Sequence, residues 1–224
     1  MSTRFWPLAT LLLGLVTLAA FVWLGVSSEV AAVYTRTEMA SAVSAFQRAE
    51  TPADLAAVFG APPNPAIVAA QDVINTRDLY LFIPAYALFL AAAALMLGGR
   101  TLPAWSAVGL AFLGAGFDVL ETLRQLRVTA DLNNPGLHLP IAPWHWAKYL
   151  CLGLNGAAIA AICLLGARRR WIMGVLALAP LPLVLASWAG AVPTRAFALA
   201  FGAYWIALLV IAAIELARGR GASA

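Results

Sequence analysis

The stretch LPAWSAVGLAFLGAGFDVLETL, residues 102–123, decides how this chain folds. At 1.5 Å per residue it is about 33 Å long as a helix, enough to cross a hydrocarbon layer of roughly 30 Å. Most of it carries no charge. Two carboxylates then arrive together in its last third, Asp118 and Glu121, and their i, i+3 spacing puts both on one face of a helix. Two acids deep in a bilayer cost about 5–7 kcal/mol, while each strongly apolar residue returns only about 0.3–0.6 kcal/mol. The apolar residues between Trp105 and Leu123 nearly cancel that cost. A span this marginal needs polar partners from neighbouring helices, and an ionisable group at depth points to function.

Five more apolar runs surround it: Phe5–Val26, Leu79–Leu97, Trp144–Gly166, Trp171–Ala189 and Ala196–Leu216. The 224-residue chain is 63% hydrophobic and 11% charged, with a mean hydropathy of +0.87. Soluble domains carry about 25% charge, so this much apolar surface belongs in lipid, where a helix satisfies its own backbone. The expected fold is all-α: a polytopic membrane protein with six transmembrane helices in one bundle, residues 1–224 forming a single domain. The first run also fits a signal peptide, with Val26-Ser27-Ser28 as a weak cleavage site. It exceeds the usual apolar core of about 7–15 residues, so a retained anchor is expected. No period of 20–50 residues repeats, and the halves do not match as inverted repeats.

Residues 27–78 form the one sizeable polar segment, read as a small helical extracytoplasmic cap between the first two spans. Thr51-Pro52-Ala53-Asp54 supplies an N-cap, a proline at N1 and an acid at N3. Leu55, Val58 and Phe59 follow as an apolar face, and Gly60 ends the turn. Asn64-Pro65 repeats the start signal, for a helix running into the second span. Met39, Val43 and Phe46 suggest an earlier helix by their i, i+4, i+7 spacing. Pro84 is expected to kink the second span, and Pro180 and Pro182 the fifth.

Charge sets the topology. Arg4, Arg100, the triplet Arg168-Arg169-Arg170, Arg218 and Arg220 fall on one side when the span number is even. The cations divide evenly overall, so those in short loops decide, and their side is expected to be cytoplasmic. Both termini are then inside and the polar segment outside. Lys-poor, Ala/Arg-rich usage suggests a GC-rich bacterial genome, so the expected location is the bacterial cytoplasmic (inner) membrane. No basic stripe with interleaved aromatics points to nucleic acid.

The fourth run answers the acids of the third. His145, Lys148, Leu152 and Asn155 recur at i, i+3, i+7, i+10 on one face, and a count from the intervening loop sets Lys148 at the depth of Glu121. Tyr86, sharing a face with Asp78 and Phe82, reaches a similar depth from the second run. A polar pocket in the outer half of the bilayer is expected, lined by Tyr86, Asp118, Glu121, Arg124, His145, Lys148 and Asn155. The competing reading is structural: a Glu121–Lys148 ion pair fixing helix register, with Trp144, Trp146 and Tyr149 as an interfacial belt. Glu215 reads as a local partner of Arg218, one turn on.

Other chemistry finds little support. His138 and His145 match no metal-ligand spacing, and no zinc, P-loop or nucleophile-elbow pattern occurs. Cys151 and Cys163 are twelve residues apart in one span, too far for a disulfide. No cofactor, metal or catalytic residue is assigned. Three function classes remain. The first binds or transports a small or lipidic ligand. The second is an accessory or scaffold subunit, whose mark would be an exposed apolar patch over residues 37–60. The third is an enzyme acting on a lipid headgroup, with no motif behind it. The expected partners are membrane lipids, with a second copy or another membrane protein as the macromolecular candidate.

Overall fold

The computed structural model of the chain describes residues 4–166 and 169–221. Arg168 of the arginine triplet and the first three residues lie outside the described residues, as does the Arg220 side chain. Eleven α-helices follow in order among the described residues: α1 (Phe5–Leu24), α2 (Ser28–Val33), α3 (Arg36–Gln47), α4 (Pro52–Phe59), α5 (Pro65–Arg77), α6 (Ile83–Gly98), α7 (Leu102–Ala130), α8 (Ala142–Leu165), α9 (Trp171–Leu178), α10 (Pro180–Trp188) and α11 (Thr194–Gly221). No strand occurs among them. Six helical stretches are long and apolar enough to cross a membrane, as expected from the sequence. The chain is a multi-pass membrane protein.

Two features depart from the sequence reading. α5 and α6 are joined by a π-helical turn, Asp78–Phe82, just before Pro84. The wider turn replaces the regular register that put Asp78, Phe82 and Tyr86 on one face, and Tyr86 is buried while Asp78 and Phe82 are half-buried. α7 also runs on to Ala130, about two turns past the apolar run that ends at Leu123. Hydropathy cannot see that extension, because polar residues carry it.

The chain divides into two compact units, each taken by itself. The first holds residues up to Thr17, Ala85–Ala115 and Lys148 onward. Here α10 and α9 pack on α11. Aromatic rings fill the contacts: Tyr86 lies 5.5 Å from Trp205, and Tyr149 lies 4.6 Å from Phe197. Close helix approach rests on small residues, as is usual where lipid supplies no hydrophobic drive between helices. A Cβ added at Gly156 would collide with the Ala177 carbonyl oxygen of α9. At one end Glu215 accepts from Arg170 at 2.8 Å and from Arg218 at 3.3 Å, so the local pair has a second cation.

The second unit holds Leu18–Pro84 and Gly116–Ala147. α2–α5 are the helices of residues 27–78. Both α3 and α4 start with reciprocal capping boxes, Thr35 with Glu38 and Thr51 with Asp54. Backbone and hydroxyl donors hold the Glu38 and Asp54 carboxyls below the usual carboxylate range. Their stabilisation is therefore present at neutral pH and fades as pH falls through that lowered range. Phe46, Leu55 and Phe59 form a core with Val128 of α7 and Ile141. Ile141 donates its amide to the Ala49 carbonyl at 2.9 Å, which fixes where α8 begins. α2 packs on α5 through Val30, Ala70 and Ile74. Arg77 closes the end of α1: its Nη1 donates to the Trp23 and Val26 carbonyls at 2.6 and 2.8 Å, and its guanidinium lies 4.2 Å from the Trp23 ring.

Glycine substitutions separate tight from open positions. Gly156→Ala is expected to destabilise by about 1–3 kcal/mol through overpacking. Gly116→Ala, with nothing within 4 Å of the added carbon, gains helix propensity instead. Thermal unfolding in detergent should show a lower Tm for the first and an equal or higher Tm for the second.

Candidate functional site

α7 explains the arrangement of the second unit. Its polar residues Asp118, Glu121, Thr122, Gln125 and Thr129 fall at i, i+3, i+4, i+7, i+11, one stripe along the helix, and all five are buried. Leu120 and Leu123 are exposed. Such a helix is inside out by soluble standards. It is what a bilayer requires, with carboxylates inside the protein and apolar groups toward lipid.

Neighbouring helices answer that stripe. Glu121 Oε1 lies 3.4 Å from His145 Nδ1 of α8, with the residues 0% and 1% exposed. Thr122 donates to Asp78 at 3.2 Å, and Thr129 donates to Asp72 at 2.5 Å. Thr122 and Thr129 are two turns apart on α7. The face of α5 and the π turn that meets them carries Asp72 and Asp78, with Gln71 and Asn75 buried on the same helix. Of these, only Asp78 figured in the sequence reading; Gln71, Asp72 and Asn75 did not. The signal was available in the spacing of Gln71, Asn75 and Asp78 at i, i+4, i+7, but a polar segment hides a polar stripe.

The seven residues expected at the site divide between the units. Asp118, Glu121, Arg124 and His145 belong to the second. Asp118 is buried at the head of the stripe, one turn before Glu121. Arg124 reaches the loop, donating to the His138 carbonyl at 3.2 Å with its guanidinium 5.1 Å from the Trp144 ring. Within the second unit the imidazole within reach of Glu121 is that of His145, one turn nearer the loop than Lys148. The start of α8 is anchored at Ile141 by the Ala49 carbonyl, and no count of loop residues predicts that tie.

Tyr86, Lys148 and Asn155 belong to the first unit. Asn155 is fully buried, donating to the Ala107 carbonyl at 2.8 Å and accepting from Tyr204 at 3.2 Å. It ties α7, α8 and α11 together. Lys148 is buried, with its ammonium 5.0 Å from the Tyr149 ring. Tyr86 stacks on Trp205. Cys151 and Cys163 are buried free thiols. No group of three or more His, Cys, Asp or Glu side chains is placed to hold a metal ion among the described residues.

On the second unit's surface, α3 and α4 border an open groove of about 710 Å³, lined by Tyr34, Glu38, Ser41, Arg48, Asp54 and Val58 among others. The large apolar side chains of residues 37–60 are turned inward: Phe46, Leu55 and Phe59 are buried, and Met39, Val43 and Val58 half-buried. No protein-family model, curated protein or solved structure matches the chain.

A buried carboxylate beside an imidazole should reveal its coupling in a double-mutant cycle. Glu121→Ala or His145→Ala alone removes half of this buried contact and is expected to cost up to about 3–5 kcal/mol. The double variant should lose less than the sum of the two, read as Tm in detergent. Strict additivity would mean that the two side chains do not depend on each other.

Proposed function

We propose that this membrane protein binds, and in doing so moves or presents, a small or lipidic ligand at the polar face of α7, with Glu121 and His145 as its proton-exchanging centre. The observation that carries the reading is the 3.4 Å carboxylate–imidazole contact, wholly buried and continuous with Asp118 on a helix whose other face is apolar. A protonated imidazole beside a carboxylate forms a neutral pair. Removing that proton leaves a negative charge in a medium that disfavours it. A ligand headgroup with a cation or several hydrogen-bond donors would answer that charge. A proton held on His145 and a headgroup held at Glu121 are then alternatives, which is the elementary requirement for coupling one to the other.

Membrane lipids are the nearest source of such headgroups, and the stripe begins at Asp118, inside the apolar run of α7, and continues past its end at Leu123. Topology follows from the arginines in the short loops: both termini cytoplasmic, residues 27–78 outside, in a bacterial inner membrane. The scaffold reading has less support, because Phe46, Leu55 and Phe59 are buried and the groove beside them mixes small apolar side chains with Glu38, Arg48 and Asp54. A docking partner there would meet alanine and valine broken by charge rather than a continuous patch of large apolar side chains.

Native mass spectrometry of the purified protein tests the reading. A retained adduct is expected on the native chain, reduced at least tenfold in Glu121→Gln and in Asp118→Asn. Identical spectra, with no adduct on any of the three, would contradict it.

A further inference from the structure

The second unit holds two amides that protein atoms leave incompletely answered. Gln71 and Asn75 lie one turn apart on α5, 1% and 4% exposed. Gln71 Nε2 donates to the Tyr34 hydroxyl at 3.2 Å, yet its Oε1 has no hydrogen-bond partner among the described residues. Asn75 Nδ2 has none either. Turning the Gln71 amide over would exchange the roles of its two polar atoms and still leave one unanswered. Burying a polar atom without a partner costs about 1–3 kcal/mol, and two such atoms on neighbouring turns double the demand. One is an acceptor and the other a donor. A single water molecule meets both needs, giving a proton to Gln71 Oε1 and accepting one from Asn75 Nδ2.

Their surroundings give that water a direction. At one end Tyr34 is half-buried and lines the open groove of α3 and α4, so its hydroxyl is within reach of solvent. At the other end Asp78 stands three residues beyond Asn75, at the first position of the π turn, and accepts from Thr122. Thr122 is the chain neighbour of Glu121, which meets His145. π turns inside longer helices recur at functional positions because they re-aim side chains without ending the helix. Here the wider turn begins at the carboxylate.

We infer that Gln71 and Asn75 hold an internal water beside the Tyr34 hydroxyl, one member of a line of waters leading from the groove past Asp78 and Thr122 toward Glu121 and His145, a hydrated route to the surface of the second unit. The inference rests on reading Glu121–His145 as a proton-exchanging site. Amide side chains do not relay protons themselves; they hold the water that does. A proton arriving from bulk solvent passes to one water of the line as that water gives one of its own to the next, so nothing accumulates along it. The titratable groups along it are Tyr34, Asp72, Asp78, Glu121 and His145.

Water-edited solid-state NMR tests this on the full chain in phosphatidylethanolamine–phosphatidylglycerol liposomes, with 15N in asparagine, glutamine and histidine. The side-chain amides of Asn75 and Gln71 should draw polarisation from water about as fast as the exposed Asn134 amide, despite their burial. His145 should do so as well, several-fold more slowly in Asn75→Leu and at the native rate in Asn75→Ser, which keeps a hydrogen-bonding group. The native measurement needs no variant to fold. Absence of water transfer to both Asn75 and Gln71 in the native chain overturns the inference, as do equal His145 rates in the Leu and Ser variants. Either result can occur while the ligand adduct persists, so this inference and the binding reading fail separately.

Discussion

A carboxylate on a lipid-facing helix has to be answered from inside the protein. That constraint organises the second unit. Glu121 could not stay on α7 without a neighbour, and His145 supplies one at 3.4 Å with both residues out of solvent. Once α8 must present an imidazole there, its starting point is fixed, and the Ile141 amide bonded to Ala49 holds it. The apolar cluster of Phe46, Leu55, Phe59 and Val128 then packs around that junction. Helices that look like decoration on the loop between two spans thus set the depth of the buried pair.

The two units solve polar burial differently. In the first, Asn155 spends its amide on the Ala107 carbonyl and the Tyr204 hydroxyl, a closed knot with donors and acceptors matched. Glycines such as Gly156 bring backbones close around it. In the second, polar groups form a stripe along α7 opposed by a stripe on α5, and Gln71 and Asn75 keep atoms that no described protein group answers. A matched knot holds helices in register. A stripe with spare capacity is what a site needs if water, protons or a headgroup are to occupy it.

The span pattern was legible in the sequence because hydropathy acts on every residue of a run and a span integrates it. The acids of the third run were legible for the same reason, as exceptions against an apolar background. Gln71, Asn75 and Thr129 were not, because polar residues in a polar segment raise no contrast. The π turn at Asp78–Phe82 was not legible either: it adds one residue to a turn, and neither composition nor periodicity over five residues records that. Pro84 announced a disturbance without its form. His145 was named as a site residue, but pairing it with Glu121 required the loop geometry that Ile141 and Ala49 impose.

The claim beneath all of this is that α7 turns its carboxylates inward and its leucines toward lipid. A nitroxide scan along α7 from Phe112 to Thr129, in liposomes, measures it directly through collision with oxygen and with a water-soluble nickel complex. Oxygen collisions should peak at 112, 113, 120 and 123 with a helical period, and both reagents should reach a minimum at 118, 121, 122 and 125. A maximum for the nickel complex at 118 and 121 would contradict the account, because those carboxylates would then stand in water.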